Sequence, residues 1–169
     1  MIKNKIFIII FAILPYGCSI SYKFNGAMID YSKTKSVSVA DFPSVAESNP
    51  YTALPYEFSE ALRDIYTRQT RLQVVKTGGD MHLEGEITDL QLAPMAISAD
   101  TYAAQTKVTI SIRVRYTNKA VPEDDLEKTY SAFRQFDSST TLNDALSVLV
   151  PEIIKEISEM IFNDTAGKW

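Results

Sequence analysis

One cysteine, one histidine, a pair of nearby glutamates and a row of basic residues are the groups in this 169-residue chain with spacings that could do chemistry. Cys18 is the only thiol, so an internal disulfide is excluded. It follows Pro15-Tyr16-Gly17, behind the apolar run Ile6–Leu14 and a positive start at Lys3 and Lys5. Nine apolar residues are too few to span a bilayer, which needs roughly 20, but suit the core of an export signal. A lone thiol directly after a small residue, at the distance where a signal peptidase cuts, is placed for thioether attachment of a diacylglycerol. Residues 1–17 therefore read as a signal peptide and Cys18 as the lipidated first residue of the mature chain. The alternative is an ordinary signal cleaved nearby, with Cys18 a plain residue. The pattern departs from the usual lipobox in having Pro15 three places before the cysteine, with Leu14 one place further back.

The remaining groups offer little catalysis. His82 stands between Met81 and Leu83 on the polar side of an alternating segment and reads as a surface histidine rather than a ligand or general base. Glu84 and Glu86 share one strand face and form either an acid/base pair or a solvated face. Gly78-Gly79-Asp80 is followed by neither a helix nor a Gly-Lys-Ser/Thr, so it reads as a hairpin turn rather than a phosphate cradle. The chain has no Gly-x-Ser-x-Gly elbow and no Cys/His metal spacing. An enzyme, a metal and a cofactor are all unexpected. Lys107, Arg113 and Arg115 lie on one face of a strand in an otherwise acidic chain. Such groups can bind an anionic glycolipid or a partner's acidic patch, or simply keep an exposed sheet face soluble.

The elements that must position these groups follow from apolar periodicity. Tyr22 to Phe42 alternates as one or two strands, with Val37 and Val39 between Ser36 and Ser38. After Asn49-Pro50 and Leu54-Pro55, residues Phe58, Ala61, Leu62, Ile65 and Tyr66 recur at helical spacing, giving a helix of about four turns. Arg71 to Val75 is a short strand. Met81, Leu83, Gly85 and Ile87 alternate until the phase slips to Leu90 and Leu92, the mark of a β-bulge. Lys107 to Tyr116 is the cleanest strand, with Val108, Ile110, Ile112, Val114 and Tyr116 on one side. Asn118 to Asp125 turns, and Leu126 to Phe136 is a further strand. The last segment is a helix with the stripe Leu142, Ala145, Leu146, Leu149, Ile153, Ile154, Ile157, Met160 and Ile161. Pro151 should kink or restart it. The order predicts an α+β two-layer sandwich: two helices packed on one face of a mostly antiparallel sheet of about four strands.

Without residues 1–17 the chain has 152 residues, one domain's worth, with residues 18–21 as a short tether and 22–169 as the domain. Losing Lys3 and Lys5 leaves 15 basic against 21 acidic side chains, a net charge near −6. Nucleic acid is excluded as a partner on that balance.

Several stretches taken in order resemble the LptE family of lipopolysaccharide-assembly lipoproteins, especially its Bacteroidetes-type branch. They are Gly17-Cys18 with Tyr22-Lys23-Phe24-Asn25-Gly26-Ala27, Thr34 to Phe42, Gln69-Thr70-Arg71-Leu72, Gly79 to Thr88, Pro94 to Asp100, and Ile161-Phe162-Asn163. The resemblance implies a lipid-anchored, periplasm-facing protein of the outer membrane that plugs the LptD β-barrel and helps deliver lipopolysaccharide to the outer leaflet. It also implies two helices against a four-stranded sheet. A lipid-anchored periplasmic binding or transport-auxiliary module with another partner or ligand is the competing expectation.

Overall fold

The computed structural model describes residues 29–95 and 104–167. Cys18, the tether and the Tyr22 and Phe24 part of the expected strands lie outside the described residues. The element order is β1 (Ser36–Val39), α1 (Leu54–Gln69), β2 (Gln73–Val75), β3 (Met81–Met95), β4 (Gln105–Asn118), β5 (Leu126–Asp137) and α2 (Leu142–Thr165), with a 3-10 turn at Pro122–Asp124. The expected α+β sandwich is present, with two helices on one face of a sheet of five strands rather than four. Its order is β2-β1-β3-β4-β5.

The long strands are antiparallel, as expected, and the bulge falls where the apolar phase slips, between Ile87 and Asp89. β1 differs: it runs parallel to both β2 and β3. The hairpin expected at Thr77 to Asp80 is therefore corrected. β2 and β3 flank β1, and the connection between them crosses over the Ser36/Ser38 side of β1. Gly78 supplies a positive φ of 77°, while Gly79 is required for closeness. A Cβ on Gly79 would lie 2.6 Å from the Ser38 amide nitrogen and 2.8 Å from the Val37 carbonyl carbon. Asp80 anchors the crossing by accepting the Lys35 amide at 2.8 Å and the Ser36 amide and hydroxyl at 3.0 and 2.9 Å. Those bonds, led by the Lys35 amide, hold its carboxyl below the ordinary range.

α1 begins with Pro55 in its first turn, where the missing N–H would be unpaired anyway. It ends where Thr70 Oγ1 donates back to the Tyr66 carbonyl at 2.6 Å. Its buried stripe is Leu54, Phe58, Leu62 and Tyr66, with Ala61 and Ile65 half-buried. α2 is capped by Thr141, whose hydroxyl accepts the Asp144 amide at 3.3 Å. It runs without interruption through Pro151, so the restart does not occur. Pro151 is exposed, and the carbonyl that loses its bond there can turn to water. Leu142, read as core, is exposed, whereas Val150, Phe162 and Thr165 are buried.

The core lies between the helices and the Val37, Leu83, Ile87, Ile110, Ile112 and Val114 side of the sheet. Phe42 meets Phe58 edge-on at 5.1 Å, and Tyr66 meets Phe162 at 5.4 Å. Gly85 makes room for Phe42: a Cβ there would come within 2.7 Å of the ring and would overlap the Arg113 carbonyl oxygen. Tyr66 is fully buried, and its hydroxyl bonds that of Thr165. β5 is a long edge strand, and its inward-pointing Lys128 and Arg134 are tied to α2. Lys128 reaches Asp164 at 2.7 Å, and Arg134 reaches Glu152 at 3.1 Å and Glu156 at 2.7 Å. Charges placed this way discourage another strand from pairing with the edge.

Candidate functional site: the outward face of the sheet

Because side chains alternate along a strand, burying Val108 to Tyr116 under the helices forces Lys107, Thr109, Ser111, Arg113 and Arg115 to the other side. Register sets their neighbours. Arg115 lies between Glu84 and Glu127, Arg113 between Glu86 and Thr129, Ser111 between Asp89 and Ser131, and Lys107 between Ala93 and Gln135. Among the described residues no helix lies on this face of β3, β4 and β5.

At the end nearest β1 the face carries an ion-pair lattice. Arg113 bonds Glu86, which raises the guanidinium pKa above its ordinary value. Arg115 reaches Glu84 and Glu127, each at 3.4 Å. His82 continues the chain, with Nε2 3.6 Å from Glu84 and Nδ1 2.8 Å from Ser38 Oγ. Ala40, Asp41 and Gly85 join the two arginines and their three glutamates in lining an open trough of about 570 Å³. Exposed pairs of this kind add little stability, about 0–1 kcal/mol each, but they hold the side chains in order.

Ser38, His82 and Glu84 are types that could form a nucleophile, base and carboxylate. Their placement forbids it. Ser38 is fully buried beneath the Gly79 crossing, whose amide it accepts at 3.2 Å. No substrate can reach that hydroxyl. Among the described residues no group of three or more His, Cys, Asp or Glu is arranged to hold a metal.

The three basic residues read from the sequence are divided. Arg113 and Arg115 share the lattice, whereas Lys107 lies six positions from Arg113 along β4, about 20 Å at strand rise. There its ammonium sits over the Phe133 ring, 5.4 Å from the centroid. Phe133 is 53% exposed and Met95 38%. The sequence reading lacked the partners Glu127 and Ser38. The period-two pattern of β5 carried a signal for Glu127, but only register places it opposite Arg115.

A second concavity, about 380 Å³, runs between the helices. Its walls include Ala61 and Ile65 of α1 and Pro151, Ile154 and Ser158 of α2, with charged residues such as Asp64, Arg68 and Lys155 around them. Ser158 Oγ is buried without a hydrogen-bond partner among the described residues.

The family model described as "LptE: Lipopolysaccharide-assembly" matches residues 34–165. A search of curated proteins finds no match. The fold recurs among solved structures. Rare lipoprotein B from Shewanella oneidensis is 12% identical, with a TM-score of 0.56 over 79% of this chain and 95% of that one. A minor lipoprotein from Acinetobacter baumannii is 12% identical, with a TM-score of 0.53 over 79% and 94%. A hypothetical protein from Chlamydia trachomatis is 14% identical, with a TM-score of 0.50 over 80% and 98%.

Proposed function

Since the chain belongs to the LptE lipopolysaccharide-assembly family, we propose that it is a non-catalytic outer-membrane lipoprotein that partners an LptD-type β-barrel in inserting lipopolysaccharide into the outer leaflet. The family match over residues 34–165 carries this reading. The buried Ser38, which leaves the His82 and Glu84 run without a usable nucleophile, agrees with a role in binding. Cys18, acylated, would hold the domain at the membrane by two chains, each buried methylene contributing about 0.8 kcal/mol. Among the described residues no helix is long and apolar enough to cross a membrane, so on this reading attachment falls to the lipid and the partner. A plug in a water-filled barrel needs a polar exterior, and the bare sheet face has one. Within it Arg113 and Arg115 act as partner contacts, because their guanidinium groups are already engaged by carboxylates. Lys107, set apart beside Phe133, is the candidate lipopolysaccharide contact.

Depletion tests the reading. With the protein removed, newly made lipopolysaccharide should fail to reach the surface, measured by antibody labelling of intact cells. Normal labelling after complete depletion would contradict it.

A further inference from the structure

We propose that the groove between α1 and α2 is a peptide-binding site, and that it receives a short, uncharged, extended stretch of the barrel partner that leaves the wall and enters the lumen. The inference rests on the barrel-partner reading above and adds where, and with what chemistry, the partner reaches inward.

Shape gives the first argument. The inner wall of a barrel is concave, and a wall that encloses the domain passes all of its faces. The groove, about 380 Å³, is concave as well. Two concave surfaces leave a gap, so only a segment that departs from the wall can fill this one. From Glu57 to Gln69 the α1 side of the groove runs about 18 Å at helical rise. That is the length of about five residues of extended chain.

Hydrogen bonding gives the second. Ser158 lines the groove and is 2% exposed, and its Oγ has no partner among the described residues. Two turns earlier on the same side of α2, Pro151 has no N–H, so the Ser147 carbonyl lacks the amide four residues on that would ordinarily bond it. The Ser158 hydroxyl can donate or accept, and the Ser147 carbonyl accepts. Pro151 and Ser158 are about 10 Å apart along the helix, or about three residues of extended chain. A peptide backbone lying in the groove therefore offers amide groups to both. A hydrocarbon chain offers none, and would seal the Ser158 hydroxyl from water unpaired, which costs stability.

Charge gives the third. Arg68 pairs with Asp64 at 2.8 Å along α1 and Lys155 with Glu159 at 4.0 Å along α2, and among the described residues no ion pair crosses between the helices. Both cations of the rim are thus matched, and a phosphate group finds neither one unpaired. Between them the walls are Ala61, Ile65 and Ile154. Val148, 60% exposed, continues this apolar strip one turn beyond Pro151. Apolar walls inside a self-neutralised rim select an uncharged segment with apolar side chains.

The test uses the full-length chain in its own envelope. A photo-crosslinking amino acid replaces Lys155 or Arg68 on the rim of the groove, or Thr129 on the sheet, and the adducts are mapped by mass spectrometry. Since the wall encloses the domain, Thr129 should reach the barrel too. Lys155 and Arg68 are expected to converge on one short stretch of the barrel without net charge. Ser158→Ala should cut their adduct yield about fivefold, the effect of one neutral hydrogen bond, and leave the Thr129 adducts unchanged. In urea the purified Ser158→Ala chain should unfold at the same or a higher midpoint, because the hydroxyl it loses has no partner in the domain. Four results would overturn the inference and leave the proposed function standing: barrel adducts from Thr129 with none from the rim, rim adducts scattered over the wall, rim adducts to lipopolysaccharide or to a second copy of this chain, or a rim yield indifferent to Ser158→Ala. A lower urea midpoint for Ser158→Ala would do the same, by showing that the hydroxyl is used inside the domain. No barrel adduct at any position would overturn both readings.

Discussion

Raising the pH from about 8 to about 11 charges tyrosines in the unfolded chain that the folded core keeps neutral. Tyr66, Tyr116 and Tyr130 are 0, 1 and 3% exposed. Burial is the leading cause that pushes each hydroxyl's pKa far above its ordinary value near 10. For Tyr130 the Asp164 carboxylate, 2.9 Å away, adds to the effect. A raised folded pKa means that stability is complete below pH 10. Above it, the unfolded chain binds fewer protons than the native state and stability falls as pH rises. Each tyrosine then costs about 0.4 kcal/mol at pH 10 and about 1.4 kcal/mol at pH 11, so the three together cost about 4 kcal/mol at pH 11. With a urea slope near 2 kcal/mol/M, the unfolding midpoint should drop by about 2 M across that range. Urea titrations followed by circular dichroism at half-unit pH steps measure it. Tyr66→Phe should remove about a third of the pH slope while costing about 1 kcal/mol at neutral pH for the lost hydroxyl bond. An unchanged slope in all three single Phe variants, or tyrosinate absorbance appearing before unfolding, would refute the reasoning.

Gly85→Ala should destabilise by about 3 kcal/mol or more, because its Cβ has nowhere to go between the Arg113 carbonyl and the Phe42 ring. Gly78→Ala, strained only by its positive φ, should cost about 1 kcal/mol in the same urea assay. Thr141→Ala should cost about 1 kcal/mol by removing the acceptor for the Asp144 amide, read by thermal unfolding. Arg134→Val should lose at most about 1 kcal/mol of ion pairing with Glu152 and Glu156, yet increase concentration-dependent association in light scattering by unguarding the β5 edge. Cys18→Ala should abolish acylation, seen as loss of the lipid mass on the intact chain from membranes.

The parts of the fold governed by local periodicity were legible in the sequence. The Val108 to Tyr116 alternation placed β4, and the slip between Ile87 and Leu90 placed the bulge. Both helices followed from their apolar spacing. β1 was read as a strand, but its pairing escaped, because its four residues pair in parallel with segments 37 and 44 positions away and parallel pairing leaves no turn signature between partners. The Gly78-Gly79 pair was read as a hairpin turn, whereas Gly79 serves a backbone crossing that only the tertiary arrangement creates. The basic row was visible as alternation on β4, but its meaning was not. Glu84 and Glu86 come from β3 and Glu127 from β5, and their register turns two of the three cations into members of a lattice whose surplus is acidic.

Affinity isolation of the full-length chain from gently solubilised outer membranes, followed by identification of what comes with it, tests the central claim most directly. The account predicts an LptD-type β-barrel in stoichiometric amount, retained at high dilution. A monodisperse monomer from the same membranes, with no barrel attached, would contradict it.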